Sequence, residues 1–525
     1  MKHSAEAWTL EHLLAEMDHC SISGALVAST QSIAYDPQFG NLALSEAIRP
    51  YGYLHPIWNV MPPVTGEFPP PEILGRQMRD NDVRAVTLAP RGNAWDWMAD
   101  HSRELLEWLA GNRILTLVNR SEFVHYQELD AFLDANPQLP VLLTGAVWSE
   151  QRQVLPLLNK HPRLHLSFEK FQIHYGIEHL AETGLEDRLV FASHAPVMSM
   201  GAHRCYIDYA AVLPGVKAKA AGGNLTRLLK GQTPGRVRVN RDEDGIMTAA
   251  RKGEPLPVPL IDMHMHILQE GMNGAGEHYR MDRGGPAGVF SLLKRLGCRG
   301  GGFMSWNGTV SCDSRAGNEC TRRALDAAPA GYWGLGTFDP VHYSREEMTR
   351  LIRELYEDRR FIGMKPYLRY GVEYHDPAYH PWWEFGNRRG FYALIHRTRK
   401  DFLEVSTLAA KYPNVRWVVA HCGSDFHTAD QAIETIKKHP NVYAEITLTP
   451  VPLGIVDYLV EHAGADRVLY GSDLPMRDPR QQLGWVVFSR LGVEAKKQVL
   501  AGNALKVIQP NWEYLPKHSR PVLEE

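Results

Sequence analysis

Seven short segments of the first half of this chain recur in the second half, in one order and at one spacing. "DPQFGN" (36–41) matches "DSRAGN" (313–318), and "GYLHPIWNVMP" (52–62) matches "GYWGLGTFDP" (331–340). "NDVRAVTLAP" (81–90) pairs with "RRFIGMKPYL" (359–368), and "NRILTLVNRSE" (112–122) with "GFYALIHRTRK" (390–400). "LPVLLTG" (139–145) pairs with "VRWVVAH" (415–421), "EDRLVFASHAP" (186–196) with "ADRVLYGSDLP" (465–475), and "AGGNLTRLL" (221–229) with "LAGNALKVI" (500–508). The offset stays at 276–279 residues throughout. One such match arises by chance. Seven in register imply one structural frame used twice, so any fold proposed for one half must also serve the other.

The length of 525 residues agrees, being too great for one hydrophobic core. The expected division is a first domain over 1–230, a linker over 231–258 and a second domain over 259–525. The linker stretch is rich in Gly, Pro and charge, with a short hairpin at 235–249 as the local alternative. Within the second half, apolar runs at 259–268, 299–305, 331–338, 360–367, 391–396, 415–421, 441–448 and 466–472 alternate with amphipathic stretches such as "SREEMTRLIRELYED" (344–358). Eight strand–helix units in about 250 residues predict a parallel (β/α)8 barrel. A doubly wound open sheet is the runner-up, but no GxGxxG follows the first strand. The fold class is therefore α/β, two tandem TIM-type barrels, the first incomplete.

Composition excludes several partners. A net charge of −3 and a pI near 6.8 give no basic surface for nucleic acid or anionic lipid. No apolar run has the length of a membrane span, and "MKHSAEAWTLEH" lacks the apolar stretch of a signal peptide. Six cysteines without CxxC spacing fit a reducing compartment, so a cytoplasmic location is expected. The expected partner is a small molecule, with the two halves forming an internal pseudo-dimer and room for a homo-oligomer.

A barrel carries its chemistry at the C-terminal ends of its strands. In "LIDMHMHIL" (260–268), Asp262, His264 and His266 alternate, so the two imidazoles share one face. The fifth strand ends at His396, the sixth at His421 and the eighth at Asp473. Imidazole and carboxylate are the donors that suit zinc and related divalent ions. A lone histidine after a strand is most often structural, but packing gives no reason for this whole set. One divalent metal is expected, zinc first and manganese as the alternative.

At "IDMHMHIL", "LIHRT" (394–398), "VVAHCG" (418–423) and "RVLYGSDLP" (467–475), the sequence resembles the amidohydrolase superfamily. The similarity is to the amidohydrolase-related branch that includes the aminocarboxymuconate-semialdehyde decarboxylase type. It runs strongly over about 259–510 and more weakly over about 10–230. The resemblance implies a metal held by His264, His266, His396 and Asp473, with His421 acting on substrate as acid, base or polarising group. Asp473 would accept the proton of the attacking water. The expected reaction is hydrolysis of an amide, ester or lactone in a small carboxylated substrate. The alternative is a non-oxidative decarboxylation on the same site, toward which the "IDMHMHIL" start leans. A non-catalytic scaffold is the third class, and the intact ligand set speaks against it.

Lys365 closes the fourth strand. A substrate-facing ammonium is favoured over a snorkelling lysine or a carbamate bridging two metals. Trp306, Asn307, Tyr367, Arg369, Arg280 and Arg477 follow strand ends or lie in the first loop, as does His278. The arginines suit an anionic substrate. Trp382 and Trp383 are read as core, and Cys422 as inert packing.

The first half keeps the frame without the ligands. Asn119 stands for His396, Gly145 for His421 and His194 for Asp473, and no HxH strand is present. A degenerate, catalytically inert barrel is expected there. Its expected use is structural, as an internal partner that can also lend side chains to the working half.

Overall fold

The computed structural model describes residues 8–230, 242–269, 280–396, 402–447 and 450–523. Two parallel sheets organise it, in strict sequence order. The first has seven strands: β1 (Ala25–Ala28), β2 (Leu54–Val60), β3 (Ala85–Leu88), β4 (Leu115–Asn119), β5 (Val141–Thr144), β6 (Leu164–Ser167) and β7 (Leu189–Val190). The second has eight: β8 (Leu260–Ile267), β9 (Cys298–Ser305), β10 (Tyr332–Gly336), β11 (Phe361–Met364), β12 (Tyr392–Ile395), β13 (Arg416–Val419), β14 (Val442–Glu445) and β15 (Val468–Leu469). All eight residues of β8 are buried, as expected of a parallel strand covered on both faces. The eight-stranded sheet closes on itself: Met263 N–H donates to Tyr470 O at 3.2 Å, Asp473 N–H to His264 O at 2.7 Å and His266 N–H to Leu474 O at 2.7 Å. The fold is thus two tandem TIM-like units, the first incomplete. Among the described residues it has no counterpart of β8.

The two units share backbone devices as well as strand order. His194 and Asp473 both adopt left-handed φ, 52° and 57°, and both precede a cis proline bond, at Ala195–Pro196 and Leu474–Pro475. Gly145 (φ 74°) and His421 (φ 66°) form a second left-handed pair. A π-helical turn follows in each, over Lys219–Gly223 and Gln498–Gly502. The asparagine after each turn ties it to the last strand. Asn224 Nδ2 donates to Leu189 O at 2.8 Å, and Asn503 Nδ2 to Val468 O at 2.7 Å.

The units are joined through equivalent helices, Met200–Asp208 and Pro479–Val487. Glycines let them touch: a Cβ on Gly484 would lie 2.4 Å from Gly201 O. Beside this contact Arg480 is fully buried. It bonds Glu178 of the first unit at 2.7 and 3.1 Å and Asp478 of the second at 2.7 and 2.6 Å, and stacks 4.7 Å from the Tyr206 ring centroid.

Within the stretch expected as a linker, residues 231–241 lie outside the described residues. The hairpin alternative is corrected in its C-terminal part, because Gly245–Lys252 is a helix. Asp244 caps it by accepting from Met247 N–H at 2.8 Å, and Gly253 ends it at φ 68°. Ile246, Met247, Ala249 and Ala250 are buried, and Lys496 of the second unit bonds Asp244 at 2.6 Å. Trp382 and Trp383 stack in the core at 5.4 Å with an interplanar angle of 7°, as read from the sequence.

Candidate metal centre

Alternation along β8 turns Asp262, His264 and His266 to the same side of the strand. Closure of the barrel brings Asp473 against them. His266 Nε2 lies 3.2 Å and His264 Nε2 3.5 Å from Asp473 Oδ1. These three residues place one donor atom each within 4.8 Å of one another, and all three are buried.

Glu445, at the end of β14, fixes the first histidine. Its Oε2 lies 3.0 Å from His264 Nδ1. An ionised carboxylate only accepts, so Nδ1 donates and Nε2 is left for a cation. Glu445 Oε1 takes the Thr447 N–H at 2.7 Å and the Thr447 hydroxyl. Gly471 makes the approach possible, since a Cβ there would fall 2.4 Å from Glu445 Oε1 and 2.8 Å from His264 Cβ. Sequence reasoning missed Glu445. Its only local signal is an acid at a strand end. Substituting Glu445→Gln is expected to weaken divalent metal affinity about 10–100-fold, read by competition with a chelator. Unchanged affinity would show that His264 needs no such partner.

His421 Nδ1 donates to Thr447 O at 2.6 Å, which leaves Nε2 as its second nitrogen. Burial lowers the imidazole pKa of His421 to about 4 and that of His264 and His396 well below the usual value. All three are therefore neutral, the form that donates a lone pair. Burial also lowers Lys365, to about 8, opposed by the nearby Asp473 and Glu445. Its Nζ lies 3.2 Å from His264 Nε2, so the lysine faces the donor cluster and does not snorkel. Burial raises Asp262 to about 8. That residue serves closure, since its Oδ1 accepts the N–H groups of His264 and Ser472, each at 3.1 Å.

His396 stands one ring further out, its centroid 4.9 Å from that of His421 and 5.3 Å from that of Tyr367. Trp306 meets His266 edge to face at 4.9 Å, and Asn307 follows it, partly buried. Arg477 is buried one turn after Asp473, its N–H bonded to Asp473 O at 3.1 Å. Two expected pocket arginines are placed elsewhere. Arg369 is exposed and donates to Val310 O at 2.9 Å, at the end of the short helix Trp306–Val310 that follows β9. Arg280 is exposed at the rim and pairs with Asp282 at 3.1 Å. His278 lies outside the described residues. Cys422 is buried, its thiol on Val419 O at 3.2 Å.

The donor set fits a divalent ion: two neutral imidazoles and a carboxylate, buried, with one imidazole oriented by an outer carboxylate. In the first unit the matching positions do other work. Asn119 caps the turn after β4, accepting from Ser121 N–H at 3.0 Å, and Gly145 N–H donates to Glu169 at 2.7 Å. Asn119→Ala is expected to leave metal content and activity of the chain unchanged, at a cost of about 1 kcal/mol in local stability. Loss of bound metal in that variant would give the first unit a role in the centre.

No curated protein matches the chain. Among solved structures, it is similar to 5-carboxyvanillate decarboxylase from Sphingomonas paucimobilis, at 14% identity over 48% of this chain and 99% of that one, with a TM-score of 0.37. It is also similar to a manganese-bound dihydroxybenzoic acid decarboxylase from Polaromonas sp. JS666, at 16% identity, 49% and 99% coverage and a TM-score of 0.38. An amidohydrolase from Burkholderia multivorans gives 14% identity, 49% and 99% coverage and a TM-score of 0.38. Residues 261–509, which hold all the strand-end donors, match the model of the amidohydrolase family.

Proposed function

We propose that the second unit is a metal-dependent hydrolase acting on an amide, ester or lactone bond of a small carboxylated substrate. The observation that carries this reading is the convergence of two proton-accepting groups on the donor cluster. His421 has its Nδ1 committed to Thr447 O, so its Nε2 carries the lone pair, and Asp473 lies within 3.5 Å of both β8 imidazoles. His264, His266 and Asp473 would hold the ion, with His396 completing the set. A bound divalent ion lowers the pKa of water from about 15.7 to roughly 7 and polarises the scissile carbonyl. In this reading Asp473 accepts the proton of the attacking water. His421 accepts a hydrogen bond from the attacking water through Nε2, and the proton taken up by Asp473 goes on to the leaving group. Lys365, facing His264, adds positive charge where the oxyanion develops. Arg477 takes the substrate carboxylate.

Decarboxylation is the second reading. It is favoured by the aromatic lining of Trp306 and Tyr367 beside the donors, since an apolar wall disfavours a carboxylate and favours its loss as CO2. The test is a product assay on the full chain loaded with zinc or manganese. Lactones and N-acyl amino acids are followed for released acid, and hydroxybenzoates for CO2. Acid release supports the proposal. CO2 without acid moves the assignment to the second reading, and neither product from a metal-loaded chain removes both.

We further infer that the two units descend from one duplicated frame and that the first has lost its chemistry. The shared left-handed residues, π-turns and capping asparagines support this.

A further inference from the structure

A tryptophan of the first unit packs against residues beside the donor cluster of the second. Trp148 lies in the turn after β5 (Trp148–Glu150), anchored by its N–H to Lys170 O at 3.1 Å. Its indole crosses between the units, and the guanidinium carbon of Arg477 sits 3.7 Å from its ring centroid. The indole also packs, with Tyr367 and Met476, on an apolar cluster of Leu268, Met281, Trp306 and Val310. Trp306 is the residue that touches His266. Further contacts join the two units. Gln151 Nε2 donates to Arg280 O at 2.9 Å, and the Tyr175 hydroxyl donates to Gly288 O at 2.9 Å. Arg283 of the second unit stacks on the Tyr175 ring at 4.9 Å and pairs with Glu182 of the first.

We propose that Trp148, in the unit that lacks the strand-end donors, is a positioning and specificity-determining residue of the metal pocket. It holds the Arg477 guanidinium by its face. Stacking uses that face and leaves the planar edge, the part that recognises a carboxylate, in a fixed direction. Arg477 N–H is bonded to Asp473 O at 3.1 Å across a short turn, so fixing its plane sets where a substrate carboxylate lies relative to the donor cluster. The inference rests on the reading of a carboxylated ligand.

The test uses the full chain loaded with zinc, with benzoate and its neutral amide, benzamide, as probes in calorimetry. Trp148→Ala is expected to weaken benzoate about 10-fold while zinc stays at the parent stoichiometry. Benzamide is expected to change far less, and Trp148→Phe to stay within about 3-fold of the parent, because the ring face is kept. Arg477→Ala should give a similar loss, and the double variant little more than either single one, as for two residues acting as a unit. On a turned-over substrate the same loss appears in KM with kcat held. Parent-like benzoate binding by Trp148→Ala, equal losses for benzoate and benzamide, or loss of zinc together with benzoate would each overturn the proposal. So would a parent chain that fails to bind benzoate. Binding needs no turnover, so these outcomes are separate from failure of the hydrolase assignment.

Discussion

His264→Ala is expected to leave the purified chain with less than about one-tenth of a divalent metal ion and with activity at background. The residue is buried completely, and its two nitrogens are both committed. Nε2 faces Asp473 and Lys365, while Nδ1 is bonded to Glu445. Alanine removes a donor and leaves the buried Glu445 carboxylate without its imidazole partner. The loss exceeds the roughly 10–100-fold expected from removing an outer partner such as Glu445. Elemental analysis after chelation and reloading measures it, with Asn119→Ala as the control from the matching position. A chain that still binds one ion per molecule after His264→Ala would place the centre elsewhere.

The second large effect concerns the join between the units. Arg480→Met is expected to destabilise the chain by about 3–5 kcal/mol. Arg480 is fully buried between Glu178 of one unit and Asp478 of the other. Removing the guanidinium leaves two carboxylates facing each other out of water, and Tyr175 N–H on Asp478 cannot compensate them. Denaturant unfolding measures the change. The triple variant Glu178→Gln, Asp478→Asn, Arg480→Met should recover much of the loss, because no unpaired charge is then buried. An unchanged midpoint for the single variant would mean that the join rests on the helix contact alone. Asp478 lies five residues after Asp473, so the single variant should also loosen metal binding.

Much of this arrangement is written locally in the chain. The β8 pair needs only alternation, and His396, His421 and Asp473 stand where apolar runs stop, so their place at strand ends could be read residue by residue. The stacked Trp382 and Trp383 were likewise legible as core from their setting. What escaped was nonlocal. Glu445 is one acid among 60 acidic residues, and its role appears only when β14 is set two positions from β8 around a closed barrel. Trp148 lies 329 positions before Arg477, in the unit whose ligands are missing, so nothing in its own segment points to the pocket. Arg280 and Arg369 carry the right chemistry at the right loops, but loop conformation turns their guanidinium groups to Asp282 and to the Val310 carbonyl. The helix Gly245–Lys252 has only eight residues and sits amid glycine, proline and charge, so its apolar face was too short to register as a period.

The incomplete first sheet has a meaning for anyone wishing to engineer a second catalytic centre into this chain. The left-handed backbone at Gly145 and His194 is already in place, and three substitutions at 119, 145 and 194 would restore the side chains His, His and Asp. They would still not make a site. The paired imidazoles come from a strand of eight residues that has no counterpart among the seven. Among the described residues, what separates the first unit from the second is thus main chain as well as side chains.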